Sequence, residues 1–252
     1  MASNPITFIA AAGDLSLPDD ELESTAIPGA EPLDLDKLPQ GVVSGTTLID
    51  FSNVASAPVR AGVSLAMLFA SRLATKATPA SADEDQWLAA YTSNLSALGF
   101  ALSGSGIVSS RFKKTGLKVH EAIIPFLTMA FGGAAVGPII LAGLKNLKDM
   151  DKGSPWITLF DRESRRFNLT EMHFAAVSSD ATETHIRYAI ARLSVASDTT
   201  QILFFKITDA TASFESSTTT MTANNSLLAV MEPDLRLKLG EMTRSFILDA
   251  KL

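Results

Sequence analysis

The chain has 252 residues, a formal net charge of −6 and no cysteine. Its 46% apolar and 19% charged residues are typical of a globular protein with one large or two small domains, and they exclude a disordered chain or a charged coiled coil. The missing cysteines exclude disulfide scaffolds, thiolate metal sites, iron–sulfur clusters and cysteine nucleophiles. An isoelectric point of about 5.1 disfavours nucleic acid as a partner, because such binders normally need a basic face.

The first forty residues carry the acidity of the whole chain. They hold eight of the 27 acidic residues and one of the 21 basic ones, which leaves the rest of the chain with a net charge of +1. Five prolines in this segment favour extended or turn structure, and Ile6–Ile9 has the pattern of a short strand. The closely spaced Leu33, Leu35 and Leu38 favour an extended acidic arm over residues 1–40 that docks on the body, with a solvated tail as the alternative.

Helical patterns dominate the residues that follow the arm. Val59–Ala77 is rich in alanine, leucine and methionine, which predicts a helix buried on most sides. Asp83–Leu98 is predicted to be an amphipathic helix, because acidic residues fill its first turn and Gly99 follows its end. Phe100–Thr115 has the pattern of a short strand pair or of one strand broken by glycines.

From Trp156 onward the pattern changes to the two-residue period of β-strands. Strands are predicted over four segments, Trp156–Phe160, Phe167–Val177, Thr184–Val195 and Gln201–Ile207. The Ser/Thr-rich segment Thr211–Asn225 is predicted to be a solvated edge strand or a loop, and Pro233 to lie in the first turn of a final helix. This segregation of helices and strands predicts a single α+β domain over residues 41–252, with an antiparallel β-meander in its C-terminal half.

The sharpest feature of the sequence is the run of 23 uncharged residues at positions 122–144. One helix of that length could span a bilayer. The pairs Gly132-Gly133 and Gly137-Pro138 interrupt the run near its middle, which favours a buried, glycine-rich helical hairpin over a single rod.

The two predicted helices of the hairpin are Leu117–Phe131 and Pro138–Met150. A constitutive membrane span and a hairpin released from a soluble fold at a membrane are the alternatives. For the released hairpin, the candidate membrane-interaction residues are Phe126, Phe131, Gly132, Gly133, Gly137 and Pro138.

Motifs for catalysis or cofactor binding are missing from the sequence. The segment Leu102–Gly106 lacks the first glycine of a nucleophile elbow. A Ser-x-x-Lys at Ser110 directly precedes a Lys-Thr-Gly at Lys114, whereas β-lactamase-type enzymes carry these elements far apart. We therefore predict no catalytic residue and no cofactor, and a hydrolase built on His120 and Glu121 remains an alternative.

The three histidines do not have the spacing of a metal site. His120, His173 and His185 lie far apart in the sequence, with no His-Glu-x-x-His pair. We predict no metal site, and the alternative is an approach of His173 and His185 across a β-hairpin, joined by Glu171 or Glu183.

Several segments resemble a poorly characterised family of bacterial and fungal proteins. They are 31–39, 43–51, Trp87-x-x-x-Tyr91 leading to Leu98-Gly99, Ile157–Asp161, and Met242-x-x-x-Phe246-Ile247-x-x-Ala250. The resemblance covers nearly the whole chain, carries no catalytic motif, and implies a role in virulence or host association. Because this chain has no cysteine, the acyl-thioester anchor of some virulence proteins is excluded here.

These patterns favour a non-enzymatic interaction or effector-like protein, and the resemblance implies that it is host-directed. The alternatives are a membrane-active, toxin-like protein that inserts residues 122–144 and an unrecognised hydrolase. We expect a protein partner or self-association through the edge around residues 211–222, conditional membrane binding, no nucleic acid and no constitutive transmembrane anchor. No basic residue precedes the short apolar run Ile6–Ala12, which predicts a cytoplasmic protein or one exported without a classical signal peptide.

Overall fold

The computed structural model describes residues 4–16, 27–54, 56–78, 84–103, 110–112, 116, 118–133, 136–165, 170–194, 201–204 and 213–252. Over these residues the chain forms one sheet of eight strands. The strands are β1 (Gly41–Ser44), β2 (Thr47–Asn53), β3 (Ala101–Ser103), β4 (Ser110–Phe112), β5 (Thr170–Ser179), β6 (Glu183–Ser194), β7 (Ser213–Asn224) and β8 (Ile247–Asp249).

The strands follow the order β3-β7-β6-β5-β2-β1-β8, and β4 also pairs with β7. Strands β5, β6 and β7 form an antiparallel meander with long, regular pairing, which confirms the meander predicted from the two-residue periodicity. Strand β2 pairs with β5 in parallel, so the sheet as a whole is mixed. The fold class is α+β, as the sequence predicts.

Helices cover both faces of the sheet. They are α1 (Pro5–Ala11), α2 (Ala57–Ala77), α3 (Glu84–Ala97), α4 (Val119–Ala130), α5 (Pro138–Asn146), α6 (Pro155–Glu163), α7 (Asn225–Leu239) and α8 (Met242–Phe246). The Ser44 hydroxyl donates to the Ser64 carbonyl on α2, whereas Asp50 accepts from the first turn of α5. Because Ser44 pairs with Thr47 and side chains alternate along a strand, Ser44 and Asp50 point to opposite faces. Helices α2 and α5 therefore lie on opposite faces of the sheet.

Two short apolar runs predicted as strands are helices instead, and a proline begins each of them. Ile6–Ile9 lies in α1, where the Asn4 side chain accepts from the Ile6 N–H at 2.9 Å and Pro5 occupies the first turn. Trp156–Phe160 lies in α6, which begins at Pro155. Proline pre-sets helical φ at this position, and that start signal decides the structure of a run too short to show its own period.

Two further predictions near the C-terminus are wrong in part. Ile202–Phe204 forms a 3₁₀ turn rather than a strand, and residues 205–207 of that predicted strand lie outside the described residues. Pro233 lies inside α7, because α7 begins eight residues earlier at Asn225, where the Asn224 side chain accepts from the Leu227 N–H. An asparagine N-cap outweighs the proline as a start signal here.

The Ser/Thr-rich segment forms strand β7, but it is not a free edge of the sheet. Strand β3 pairs with Thr220–Thr222, and β4 pairs with Phe214–Ser216. β3 and β4 follow one another along the same edge of β7, which agrees with the predicted strand broken by glycines rather than with a strand pair, and residues 104–109 between them lie outside the described part.

The long helical patterns are confirmed, with α2 and α3 matching their predicted bounds within two residues at each end. The uncharged run forms two helices, α4 and α5, and not one rod. Gly132 and Gly137 have φ of 78° and 73°, left-handed values that favour glycine and end helical structure. The hairpin predicted from the glycine breakers is thus confirmed.

The N-terminal arm lies against the apolar core over its described residues. Leu35 and Leu38 are buried, and Leu33 packs partly buried against the same core. Asp36 forms an ion pair with Arg236 on α7, with 2.8 Å between Oδ1 and the guanidinium nitrogen. Residues 17–26, which hold half of the acidic residues of the arm, lie outside the described ranges.

Candidate functional site

The hairpin of α4 and α5 carries apolar side chains towards the core and towards solvent at once. Its buried residues are Val119, Ala122, Ile123, Phe126 and Leu127 on α4, with Ile140, Leu141 and Leu144 on α5. This inner hairpin face packs on strands β2 and β6 of the sheet. The packing explains why an uncharged run of this length belongs to the folded core.

The opposite side of the hairpin carries no charge between residues 122 and 144. Its residues, here called the outer hairpin face, are the exposed Pro125, Met129 and Ala142 and the half-buried Ile124 and Thr128. Met129 has 75% of its surface open to solvent.

Lysines flank the uncharged run in the sequence. Lys118 directly precedes α4, and Lys145 and Lys148 lie at the end of α5 and just after it. The two lysines at the end of α5 are exposed, and Lys118 is half-buried. Lysines at the end of an apolar surface suit the boundary between headgroups and acyl chains.

The candidate membrane-interaction residues separate into two groups. Phe126 and Phe131 are 5% and 0% exposed, so both rings lie in the core in this conformation. Gly132 is the exposed residue of the turn and Gly133 is half-buried beside it. Gly137 is buried, and Pro138 begins α5 half-buried.

Sequence reasoning did not single out Met129. Glu121, Pro125 and Met129 recur every four residues on α4, and all three are exposed. The charge on Glu121 marks the solvent side of this helix. Met129 lies on the same side of α4 as Glu121, so the four-residue spacing in the sequence could have predicted that Met129 is exposed.

A second group of polar side chains lies on the other face of the sheet, where four of them lie beneath α3 and the fifth, the exposed Asp85, lies on α3 itself. His173 lies with Nε2 at 2.5 Å from Glu171 Oε1 and with Nδ1 against the Tyr188 hydroxyl. Arg192 donates to Glu171 at 2.6 Å and to Asp85 at 2.7 Å, which links β5 and β6 to α3. We call these five residues the β5–β6 network.

Two aromatic rings of α3 close this network from above. Trp87 stacks on Tyr91 with 5.1 Å between ring centroids, and its indole lies edge-on to His173 at 5.4 Å. Burial raises the pKa of Tyr91 to about 12 and that of Tyr188 well above its ordinary value, so both hydroxyls stay protonated. With both nitrogens of His173 engaged under these rings, the arrangement serves the stability of the fold.

The charge on Glu171 makes stability depend on pH. Burial acts to raise the pKa of its carboxyl, but His173 and Arg192 outweigh that effect, so the pKa lies below its ordinary value. A group with a lowered folded-state pKa contributes stability above its unfolded pKa, about 4.3 for glutamate, and loses it as pH falls through the folded value.

We therefore expect Glu171→Gln to cost more free energy of unfolding at neutral pH than below about pH 4. Urea denaturation of both proteins across this range measures the difference. A gap between wild type and variant that stays constant with pH would contradict a lowered pKa at this carboxyl.

The alternative sites considered from the sequence are not assembled. His173 and His185 stand far apart along the β5–β6 pair, since His173 pairs with Ile190 and His185 with Ser178. Over the described residues, no group of three or more His, Cys, Asp or Glu side chains could hold a metal ion.

The residues named for a hydrolase are engaged in helix and core contacts. His120 Nδ1 lies 2.6 Å from the Leu203 carbonyl oxygen, and its ring packs edge-on against Phe204. The Glu121 carboxylate accepts from the Lys118 N–H at 2.9 Å, where it caps α4. Neither contact joins the residue to a nucleophile.

Comparison with known proteins gives structural similarities at low sequence identity. No family model and no curated protein matches the chain. A solved structure titled delta-endotoxin is similar with a TM-score of 0.41 and 11% identity, over 77% of this chain and 88% of that one. The Evf virulence factor is similar with a TM-score of 0.33 and 13% identity, over 90% of this chain and 89% of that one.

Proposed function

We propose that this protein is a non-enzymatic, effector-like protein that acts at a membrane surface through the outer hairpin face. The observation that carries the proposal is that this face presents the exposed side chains of Pro125, Met129 and Ala142, with no charge from residue 122 to residue 144. Burying this face in a lipid interface removes apolar surface from water, which favours binding by about 25 cal/mol for each Å² buried.

The dimensions of the hairpin favour binding in the interface over a span. Helix α4 has 12 residues and α5 has nine, which correspond to lengths of about 18 Å and 14 Å. A bilayer has a hydrocarbon core about 30 Å thick, so neither helix crosses it. Among the described helices, none is both long enough and apolar enough to span a membrane.

Co-sedimentation with phosphatidylcholine vesicles, with and without an anionic lipid, tests the proposal. We expect the wild type to sediment with vesicles and Met129→Glu to bind about tenfold less, because the change places a charge in the centre of the face. Val230→Glu is the matched control, since Val230 is also apolar and 61% exposed but lies on α7, across the sheet.

Two results would overturn the proposal. The first is no binding of wild type to either vesicle composition at neutral or acid pH. The second is equal loss of binding in both variants while both unfold at the wild-type temperature, because binding would then not depend on the hairpin.

A second candidate function is self-association through α7, and the exposure of Leu237 favours it. Leu237 is 84% exposed and Val230 61%, and Pro233 and Ala229 are exposed at positions four and eight residues before Leu237, so the four form an uncharged stripe. This stripe is a better candidate than the edge around residues 211–222, which β3 and β4 cover in part. Sedimentation velocity over a range of concentrations tests it, and Leu237→Asp is expected to abolish any concentration dependence.

A further inference from the structure

Three residues that face the hairpin lie in one row across the sheet. Asp50 on β2 pairs with Ala176 on β5, and Ala176 pairs with Arg187 on β6. At about 4.8 Å between neighbouring strands, the backbones of Asp50 and Arg187 lie about 10 Å apart, with the small alanine between them. The Asp50 carboxylate and the Arg187 guanidinium thus lie on either side of Ala176, on the face of the sheet that α4 and α5 cover.

Each charge of this row meets the helix end of matching polarity. The Arg187 guanidinium donates to the carbonyl of Phe131, the C-cap of α4, where the helix dipole is negative. The Asp50 carboxylate accepts from the Ile139 N–H at 2.7 Å and from the Ile140 N–H at 3.2 Å, in the first turn of α5. These N–H groups lack partners within their own helix, so Asp50 satisfies donors that would otherwise be buried unpaired.

The turn between the helices is shaped to fit this row. Gly137 has a φ of 73°, and a Cβ there would lie 3.3 Å from the Ala176 Cβ and 2.6 Å from the Phe131 ring. Gly132 has a φ of 78°, and a Cβ on it would collide with the Arg187 guanidinium. At Gly137 both the backbone angle and the close approach to Phe131 and Ala176 favour glycine, whereas at Gly132 the backbone angle favours it and the Arg187 side chain could move aside.

We propose that Asp50, Ala176 and Arg187 form a clasp that holds the turn of the hairpin against the sheet and controls its release at a membrane. This inference rests on the proposed membrane function and adds its regulation. When the turn moves away from the sheet, water replaces the hydrogen bonds of both charges. The clasp therefore fixes the position of the turn but contributes only a modest net free energy to keeping it closed. The main cost of opening is exposure of the inner hairpin face, and a lipid interface would offset that cost.

Hydrogen exchange without lipid tests the clasp alone. Asp50→Asn and Arg187→Gln each remove one charge, and we expect amides of α4 and α5 to exchange about tenfold faster in both variants, with β6 unchanged. Arg244→Gln is the matched control, because Arg244 is exposed and pairs with Glu241 on its own helix segment, away from the hairpin. If Asp50→Asn fails to fold, Arg187→Gln decides the result.

A disulfide lock tests whether the hairpin opens after it reaches a membrane. A Cβ on Gly41 would lie 3.2 Å from the Ile139 Cγ2, which is within reach of a disulfide between β1 and α5. The chain has no cysteine of its own, so Gly41→Cys with Ile139→Cys gives one defined bridge. The lock leaves the outer hairpin face exposed, so we expect the oxidised and reduced forms both to bind vesicles. Once bound, the reduced form should exchange the amides of α4 and α5 about tenfold faster than the oxidised form.

The outcomes separate the clasp from the membrane function. Unchanged exchange in both charge variants would overturn the clasp, whether or not the protein binds vesicles. Faster exchange with no vesicle binding by any form would keep the clasp and overturn the membrane function. Equal exchange of α4 and α5 in the vesicle-bound oxidised and reduced forms would keep the membrane function and overturn controlled release.

Discussion

Replacement of Arg192 with methionine is expected to lower the free energy of unfolding by about 3–5 kcal/mol. Glu171 would keep its buried carboxylate and its contact with His173, but it would lose the guanidinium that lies 2.6 Å from it, and Asp85 on α3 would lose the same partner. Removing one partner of a buried ion pair is among the costliest changes a core can receive. Urea denaturation at neutral pH, followed by far-UV circular dichroism, measures the loss.

An exposed pair and a double variant make this prediction specific. Arg244→Met breaks a pair whose side chains are 64% and 83% exposed, and we expect a cost of at most about 1 kcal/mol. The double variant Glu171→Gln with Arg192→Met removes both charges, so it should be more stable than Arg192→Met alone. A cost below about 1 kcal/mol for Arg192→Met, or costs that simply add in the double variant, would contradict a coupled pair.

The two faces of the sheet are held to their helices in different ways. On one face, α3 is tied to the sheet by the ion pair between Arg192 and the exposed Asp85 and by stacked rings, with Trp87 2% and Tyr91 0% exposed. On the other face, the hairpin meets the sheet through apolar packing and two charges at its turn. A fold that fixes one helical layer firmly and the other through a polar clasp is suited to release one layer while the rest stays folded.

The sequence predicts the features that depend on neighbouring residues. The glycines at 132 and 137 end helices wherever they stand, so the hairpin follows from local conformation. The apolar pattern of α2 is likewise long enough to show the period of an α-helix. The runs inside α1 and α6 are too short for that, and their helical state depends on Pro5 and Pro155 at their starts.

The candidate sites depend on register, which a single sequence does not reveal. Alternation along β5 indicates that Glu171 and His173 share a face, but which residues of β6 they meet follows only from the observed pairing. The clasp is even harder to predict from the sequence, because it needs the parallel pairing of Asp50 with Ala176, 126 positions apart. No local pattern near Asp50 marks this partner, whereas the exposure of Met129 follows from the spacing on α4 itself.

Replacement of Leu38 with alanine is expected to cost about 2–5 kcal/mol of unfolding free energy, because Leu38 is 1% exposed and its truncation leaves a cavity in the core. Leu33→Ala is the matched control in the same arm, and we expect a smaller cost since Leu33 is only partly buried. On this basis we propose that residues 1–40 unfold together with residues 41–252, and that their deletion lowers the melting temperature. Equal, near-zero costs for both substitutions would instead support an acidic tail that contributes charge but no stability.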